Sequence, residues 1–224
     1  MNVFRSVVVL SASCCCALMA PLDSLAALSD LIPEGTDRFG SDPPLTRDTT
    51  TGLRWLDVDM TTGLSFNQME LELLSGGAFS GFRHATGAEV LGLWQTAGIV
   101  DIDAGATTAN VVAARGLTTL MGITDTTRDC VNCPIATDTI FALTSDVVQI
   151  GATSFLRAPK LNVFLNDNSA EALFSDNNAL QTATFASNAV GHYLVEIPNI
   201  PAPATAIACI VAGAMAGCGR RRRG

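Results

Sequence analysis

The chain has 224 residues, 15% of them charged, and a formal net charge of −8. That length holds one well-cored domain with segments to spare. An acidic balance of this size repels phosphate backbones and excludes a nucleic-acid-binding role.

Residues 1–26 carry one basic side chain, Arg5, then an apolar stretch over 6–20 and the small-residue run Ser24-Leu25-Ala26. This pattern predicts a secretory signal peptide cleaved after Ala26. Cys14, Cys15 and Cys16 lie inside it. A lipoprotein with one of them acylated is the alternative, although Ser11 is not the large aliphatic residue expected three positions before Cys14. Residues 27–47 are rich in Asp, Gly and Pro and predict an irregular lead-in with little core.

Residues 48–59 (DTTTGLRWLDVD) predict a turn and then a short strand over 53–58. Leu53 and Trp55 fall on one face of it, Arg54, Leu56 and Val58 on the other. A helix is expected over 65–74. Ser65 and Gln68 have capping-box spacing, Phe66, Met69 and Leu73 share a stripe, and Gly76-Gly77 ends it. Residues 79–85 form a short extended link. Thr86 and Glu89 make a second capping box, opening a helix to about residue 97 with Val90, Leu93, Trp94 and Ala97 on its buried face.

The runs Thr51-Gly52-Leu53-Arg54-Trp55-Leu56-Asp57 and Gly81-Phe82-Arg83-His84-Ala85-Thr86-Gly87-Ala88-Glu89-Val90 resemble a module of exported PEP-CTERM proteins. They are also similar to the Lcl C-terminal domain, from which they depart at His84 and Ala85. The resemblance covers about 50 residues. It implies a C-type-lectin-like fold, without that fold's calcium motifs.

Residues 101–105 read as a loop, and 108–121 as a third helix, weakened by Gly116 and capped by Gly122. Cys130 and Cys133 stand in Asp129-Cys-Val-Asn-Cys-Pro134. Pro134 and the absence of a following helical pattern argue against a redox motif. In an oxidising compartment the pair is expected to form a local disulfide. From residue 139 the pattern turns to strands, over 139–143, 146–150, 154–157, 161–165, 183–186 and 191–197. Asn166-Asp167-Asn168 and Asp176-Asn177-Asn178 supply turn chemistry. The fold class is α+β: two or three early helices packed on a mainly antiparallel sheet. Strand 53–58 is expected to pair with 191–197.

The last segment, 198–224, runs through Pro201-Ala202-Pro203, an uncharged apolar stretch over 204–219, and Arg220, Arg221, Arg222 and Arg223. As a helix the apolar stretch would be ~24 Å long, against a bilayer core of ~30 Å. The arginines would stay on the cytoplasmic side. Proline motif, short apolar helix and Arg cluster together resemble the PEP-CTERM sorting signal of exported bacterial proteins, with Ala202 where the family usually has Glu. The resemblance implies processing by an exosortase, after transient anchoring of the chain in the membrane.

The expected organisation is therefore a signal peptide over 1–26, a lead-in over 27–47, one α+β domain over 48–197 and a sorting signal over 198–224. Residues 27–200 keep 8 basic and 20 acidic side chains, a net charge near −12.

Chemistry is sparse. Asp57, Asp59 and Thr61 match the start of an EF-hand loop, but Thr62 and Gln68 stand where its Gly and Glu belong. Asp101 and Asp103 offer two carboxylates to a weak calcium site, with solvation of the loop the simpler reading. A hydrolase would have to use His84 or His192, and no nucleophile elbow exists. Trp55 and Trp94 read as core anchors. The sequence predicts no catalytic residue, cofactor or metal site. The expected function is an exosortase-sorted surface or extracellular-matrix protein, whose partners are the secretion machinery and the processing enzyme. The alternative is a lectin-like binding module for polysaccharide or protein, reading its ligand through the loops around Asp101 and Cys130. A hydrolase or modifying enzyme on the same scaffold is a third reading.

Overall fold

The computed structural model describes residues 28–35, 44–127, 136–175 and 180–198. The first part of the chain supplies β1 (Leu31–Glu34), β2 (Leu45–Asp48) and β3 (Arg54–Leu56). A 3-10 turn over Val58–Thr61 follows, then α1 (Phe66–Leu73), β4 (Phe82–His84), α2 (Gly87–Thr96) and α3 (Val111–Met121). The remainder is mostly strand: β5 (Asp125–Thr126), β6 (Thr137–Leu143), β7 (Val147–Ile150), β8 (Thr153–Arg157), β9 (Lys160–Phe164), β10 (Ser169–Leu173), β11 (Leu180–Gln181), β12 (Gly191–His192) and β13 (Leu194–Glu196).

The strands form three sheets. The first has the order β1-β2-β3-β13-β4 and is antiparallel throughout. The second has the order β10-β9-β6-β12, with β5 also on β6, and its β12–β6 pair is parallel. The third is the small sheet β11-β8-β7. The expected pairing of the first strand with the last is present, with Val195 opposite Trp55. The class is α+β, as the sequence pattern predicts.

Alternation along the first sheet feeds two cores. Trp55 and Val195 face a large core that also takes Val90, Leu93 and Trp94 of α2, Ala114 and Leu117 of α3, and Ile140 and Leu161 of the second sheet. Leu56 and Leu194 face the other way, onto Met69 of α1 and onto Phe79 and Phe82. The first sheet is therefore covered on both faces, which is why Trp55 and Leu56 are both fully buried. Trp55 meets Tyr193 edge-on, with centroids 6.4 Å apart. Arg54 ties three strands together, reaching Glu34 of β1 at 2.7 Å and Glu196 of β13.

Both capping boxes form as expected: Ser65 with Gln68 on α1, and Thr86 with Glu89 on α2. Gly98 and Gly122 end α2 and α3 with positive φ, a conformation that favours glycine.

Four expectations are corrected. The lead-in is not core-free: Leu31 and Leu45 are buried in β1 and β2. Pro33 is tolerated because β1 is an edge strand, where a missing N–H breaks no ladder. The third helix starts at Val111 rather than at 108. The Asn110 side chain turns back to accept from Val100 N and Asp101 N and to donate to Asp101 O. Residues 183–186 are not a strand; they pack Ala183 under the small sheet. The expected strand over 191–197 is broken at Tyr193, because β12 belongs to the second sheet and β13 to the first. Tyr193 links the two, donating its N–H to Leu143 O and accepting at its O from Ala85 N. The signal peptide, the Cys130–Cys133 loop, the turn at Asp176-Asn177-Asn178 and the segment from residue 199 onward lie outside the described residues.

The crossing at β12 leaves no room for a side chain. A Cβ on Gly191 would lie 2.3 Å from the Val58 carbonyl oxygen, which is backbone and cannot rotate away. Gly191→Ala is expected to lower stability by about 1–3 kcal/mol, read as a shifted urea midpoint with an unchanged slope.

Candidate functional site

The β2–β3 turn is built on one buried carboxylate. Asp48 accepts from Thr50 N at 2.8 Å, Thr51 N at 3.2 Å and Thr51 Oγ1 at 2.8 Å. Gly52, at φ 76°, closes the turn by donating to Asp48 O. This explains the TGLRWLD run: Thr51 and Gly52 shape the turn, while Trp55 and Leu56 plug the two cores. The second run is a lock around the α2 N-terminus. Arg83 forks onto Glu89 at 2.9 and 2.6 Å, and Glu89 also closes the Thr86 capping box. The Arg83 guanidinium holds the Glu89 carboxyl below its usual range. Both motifs are spent on architecture.

The two histidines, 108 residues apart in sequence, meet when β13 enters the first sheet and β12 docks on β6. His84 Nε2 lies 3.0 Å from His192 Nδ1. His192 Nε2 lies 3.0 Å from Leu64 O, and His84 Nδ1 lies 2.9 Å from Glu70 Oε1. Phe66 stacks on the His84 ring at 4.2 Å. Burial pushes both imidazoles down to about 4, so both are neutral at pH 7. A carbonyl only accepts, so His192 carries its hydrogen on Nε2 and accepts at Nδ1. His84 then donates through Nε2 and offers Glu70 a bare Nδ1. Three of the four ring nitrogens are thus hydrogen-bonded within the protein, and the fourth, the bare Nδ1 of His84, is turned to the Glu70 carboxylate.

Asp57 is a second perturbed group. Burial, followed by the charge of Asp59, pushes its carboxyl up to about 7, and its Oδ1 is enclosed without a hydrogen-bond partner. Asp59 packs against Gly122, where a Cβ would lie 2.5 Å from its Cγ. Asp103 does not hold a loop open for a cation. Its Oδ1 accepts from Phe174 N and Ser175 N at the end of β10. Among the described residues no group of three or more His, Cys, Asp or Glu is arranged to hold a metal ion. Trp55 and Trp94 are fully buried, as core anchors should be.

A solvent-open groove of about 460 Å³ runs between the β2–β3 turn and α2. It is lined by Asp30, Thr50, Thr51, Gly92, Gln95 and Thr96. Asp48 braces both walls, since Thr96 Oγ1 also points at its Oδ2, at 3.5 Å. Sequence reasoning placed ligand contacts around Asp101 and Cys130 and missed this groove. The legible signals for it were the threonine run before Gly52 and the unexplained Gly92 inside an apolar helix. The remaining sequence-derived site residues, Ala26, Cys130, Cys133, Pro201, Ala202, Pro203 and Arg220 to Arg223, lie outside the described residues. No helix among the described residues is long and apolar enough to cross a membrane.

Comparison with protein-family models, curated proteins and solved structures found no match.

Two predictions follow the proton positions. Glu70→Gln supplies an amide N–H to the bare Nδ1 of His84. It should raise stability at pH 7.5 by up to about 1 kcal/mol, measured by urea unfolding. A loss of stability would show that His84 already carries a second proton. For Asp57, a raised folded value means that ionisation penalises the fold. The penalty is full above about pH 7 and disappears as pH falls towards the unfolded value of 3.8. Asp57→Asn should therefore stabilise most at pH 8 and least at pH 4, read from unfolding midpoints across that range.

Proposed function

We propose that this chain is an exported, non-catalytic protein of the cell surface or extracellular matrix. In this reading residues 1–26 direct secretion, and the tail over 198–224 anchors the chain transiently until an exosortase-type enzyme cuts near Pro201-Ala202-Pro203. The observation that carries it is the pair of export signals bracketing the domain. Every described element lies between residues 28 and 196, so removal of both ends leaves each of them in place.

A binding module for a polysaccharide is the second reading. The groove between the β2–β3 turn and α2, braced by Asp48, favours it.

The test is the intact mass of the protein from its native cells, together with the fraction that contains it. Loss of both ends, near Ala26 and near Pro201, with the protein in envelope or medium, is the expected result. A full-length C-terminus in the membrane fraction would make the tail a plain anchor. An intact N-terminus in the cytosol would overturn the export reading.

A further inference from the structure

We propose that the groove beside α2 binds a neutral saccharide, and that Gly92 is the residue that keeps it open. This deepens the binding-module reading and rests on it. The argument begins with the helical glycines. Among the described residues the three helices contain Gly87, Gly92 and Gly116. A Cβ on Gly87 would lie 2.4 Å from Asp146 Oδ2 and 2.8 Å from the Phe174 ring. A Cβ on Gly116 would lie 2.4 Å from a Leu28 methyl. Neighbouring side chains crowd both of these glycines. A Cβ on Gly92 would meet nothing within 4 Å. Glycine inside a helix costs about 1 kcal/mol relative to alanine, and at Gly92 no packing or backbone demand offsets that loss. What the missing side chain leaves is the open surface of the groove.

The groove's chemistry selects the ligand class. Its volume, about 460 Å³, falls within the range of about 300–1,000 Å³ usual for small-ligand sites. Thr50, Thr51 and Thr96 contribute hydroxyl-bearing side chains, Gln95 an amide and Asp30 a carboxylate, and among the described residues no cationic side chain lines it. Amide and carboxylate groups together donate to and accept from the paired hydroxyls of a sugar. Phosphate, sulfate or uronate groups would find no counter-charge and would meet Asp30. The turn wall is held in place before any ligand arrives by three hydrogen bonds onto buried Asp48, which Thr96 Oγ1 of α2 also approaches at 3.5 Å. Preorganisation of this kind reduces the ordering cost of binding.

The experiment uses the protein purified from its native cells, whichever fraction holds it, with neutral, amino and acidic oligosaccharides as probes in saturation-transfer NMR. Two variants accompany the wild type. Gly92→Ala tests whether glycine is needed for the fold, and Gly92→Gln fills the groove with a helix-compatible side chain. The expected results are binding of a neutral oligosaccharide by the wild type, a raised melting temperature for Gly92→Ala, and at least a tenfold weaker affinity for Gly92→Gln. Several results would overturn the proposal: no neutral sugar bound by folded wild type, binding of acidic sugars alone, undiminished binding by Gly92→Gln, or a lowered melting temperature for Gly92→Ala. None of these bears on cellular location, which mass and fractionation decide, so failure of the groove is distinguishable from failure of the export reading.

Discussion

The structure depends on the insertion of β13 between β3 and β4. Until that strand enters, β3 and β4 have no partner between them, Trp55 lacks the ring of Tyr193, and Arg54 lacks the carboxylate of Glu196. The contact joins the beginning of the domain to its end, so a long loop must close before burial rewards it. Tyr193 extends the effect. As the single residue between β12 and β13, it hydrogen-bonds towards β6 on one side and the β4–α2 junction on the other, and so sets the position of the second sheet against the first. The clash that any Cβ at Gly191 would meet shows how little slack the crossing has.

Most of the polar chemistry that could suggest an active site serves this architecture. Asp48, Asp103 and Asn110 each accept from backbone N–H groups in turns that no sheet or helix partner reaches. Arg83 and Glu89 fasten β4 to α2. The histidines hydrogen-bond to each other and on to the Leu64 carbonyl, with Phe66 stacked on His84 and Glu70 beside its outer nitrogen. Asp57 is the exception, since its buried oxygen finds no partner and its raised proton affinity is a net burden on the ionised fold.

What was legible in the sequence was whatever is decided within a few residues. The capping boxes at Ser65 and Thr86 need only i to i+3 spacing, and both formed. The buried face of α2 followed from helical periodicity. The failures came where distant partners decide. Leu31 and Leu45 sit among prolines, glycines and acids that read as irregular, yet an antiparallel neighbour makes each a strand residue. Ser169–Leu173 has small side chains with little strand preference and is a strand because β9 lies beside it. Conversely, 183–186 has strand-like residues and no neighbour to pair with. One apolar run over 191–197 served two sheets, which no periodicity can announce. The meeting of His84 with His192 is the same lesson at side-chain scale.

The groove stands apart from these cases because the relevant residue is defined by what it does not do. A glycine can be explained by a turn, by a close approach or by a positive φ. Gly191 and Gly122 each meet one of these conditions, while Gly92 meets none. Sequence alone shows only a helix with one poor helix former in it. Structure adds that the position faces open space, that the facing wall is braced by a fully buried carboxylate, and that the lining, among the described residues, bears hydrogen-bonding groups without a positive charge. A strongly acidic surface already disfavours polyanions at long range, and the groove repeats that preference at contact distance. Surface charge and local chemistry therefore agree in disfavouring anionic ligands.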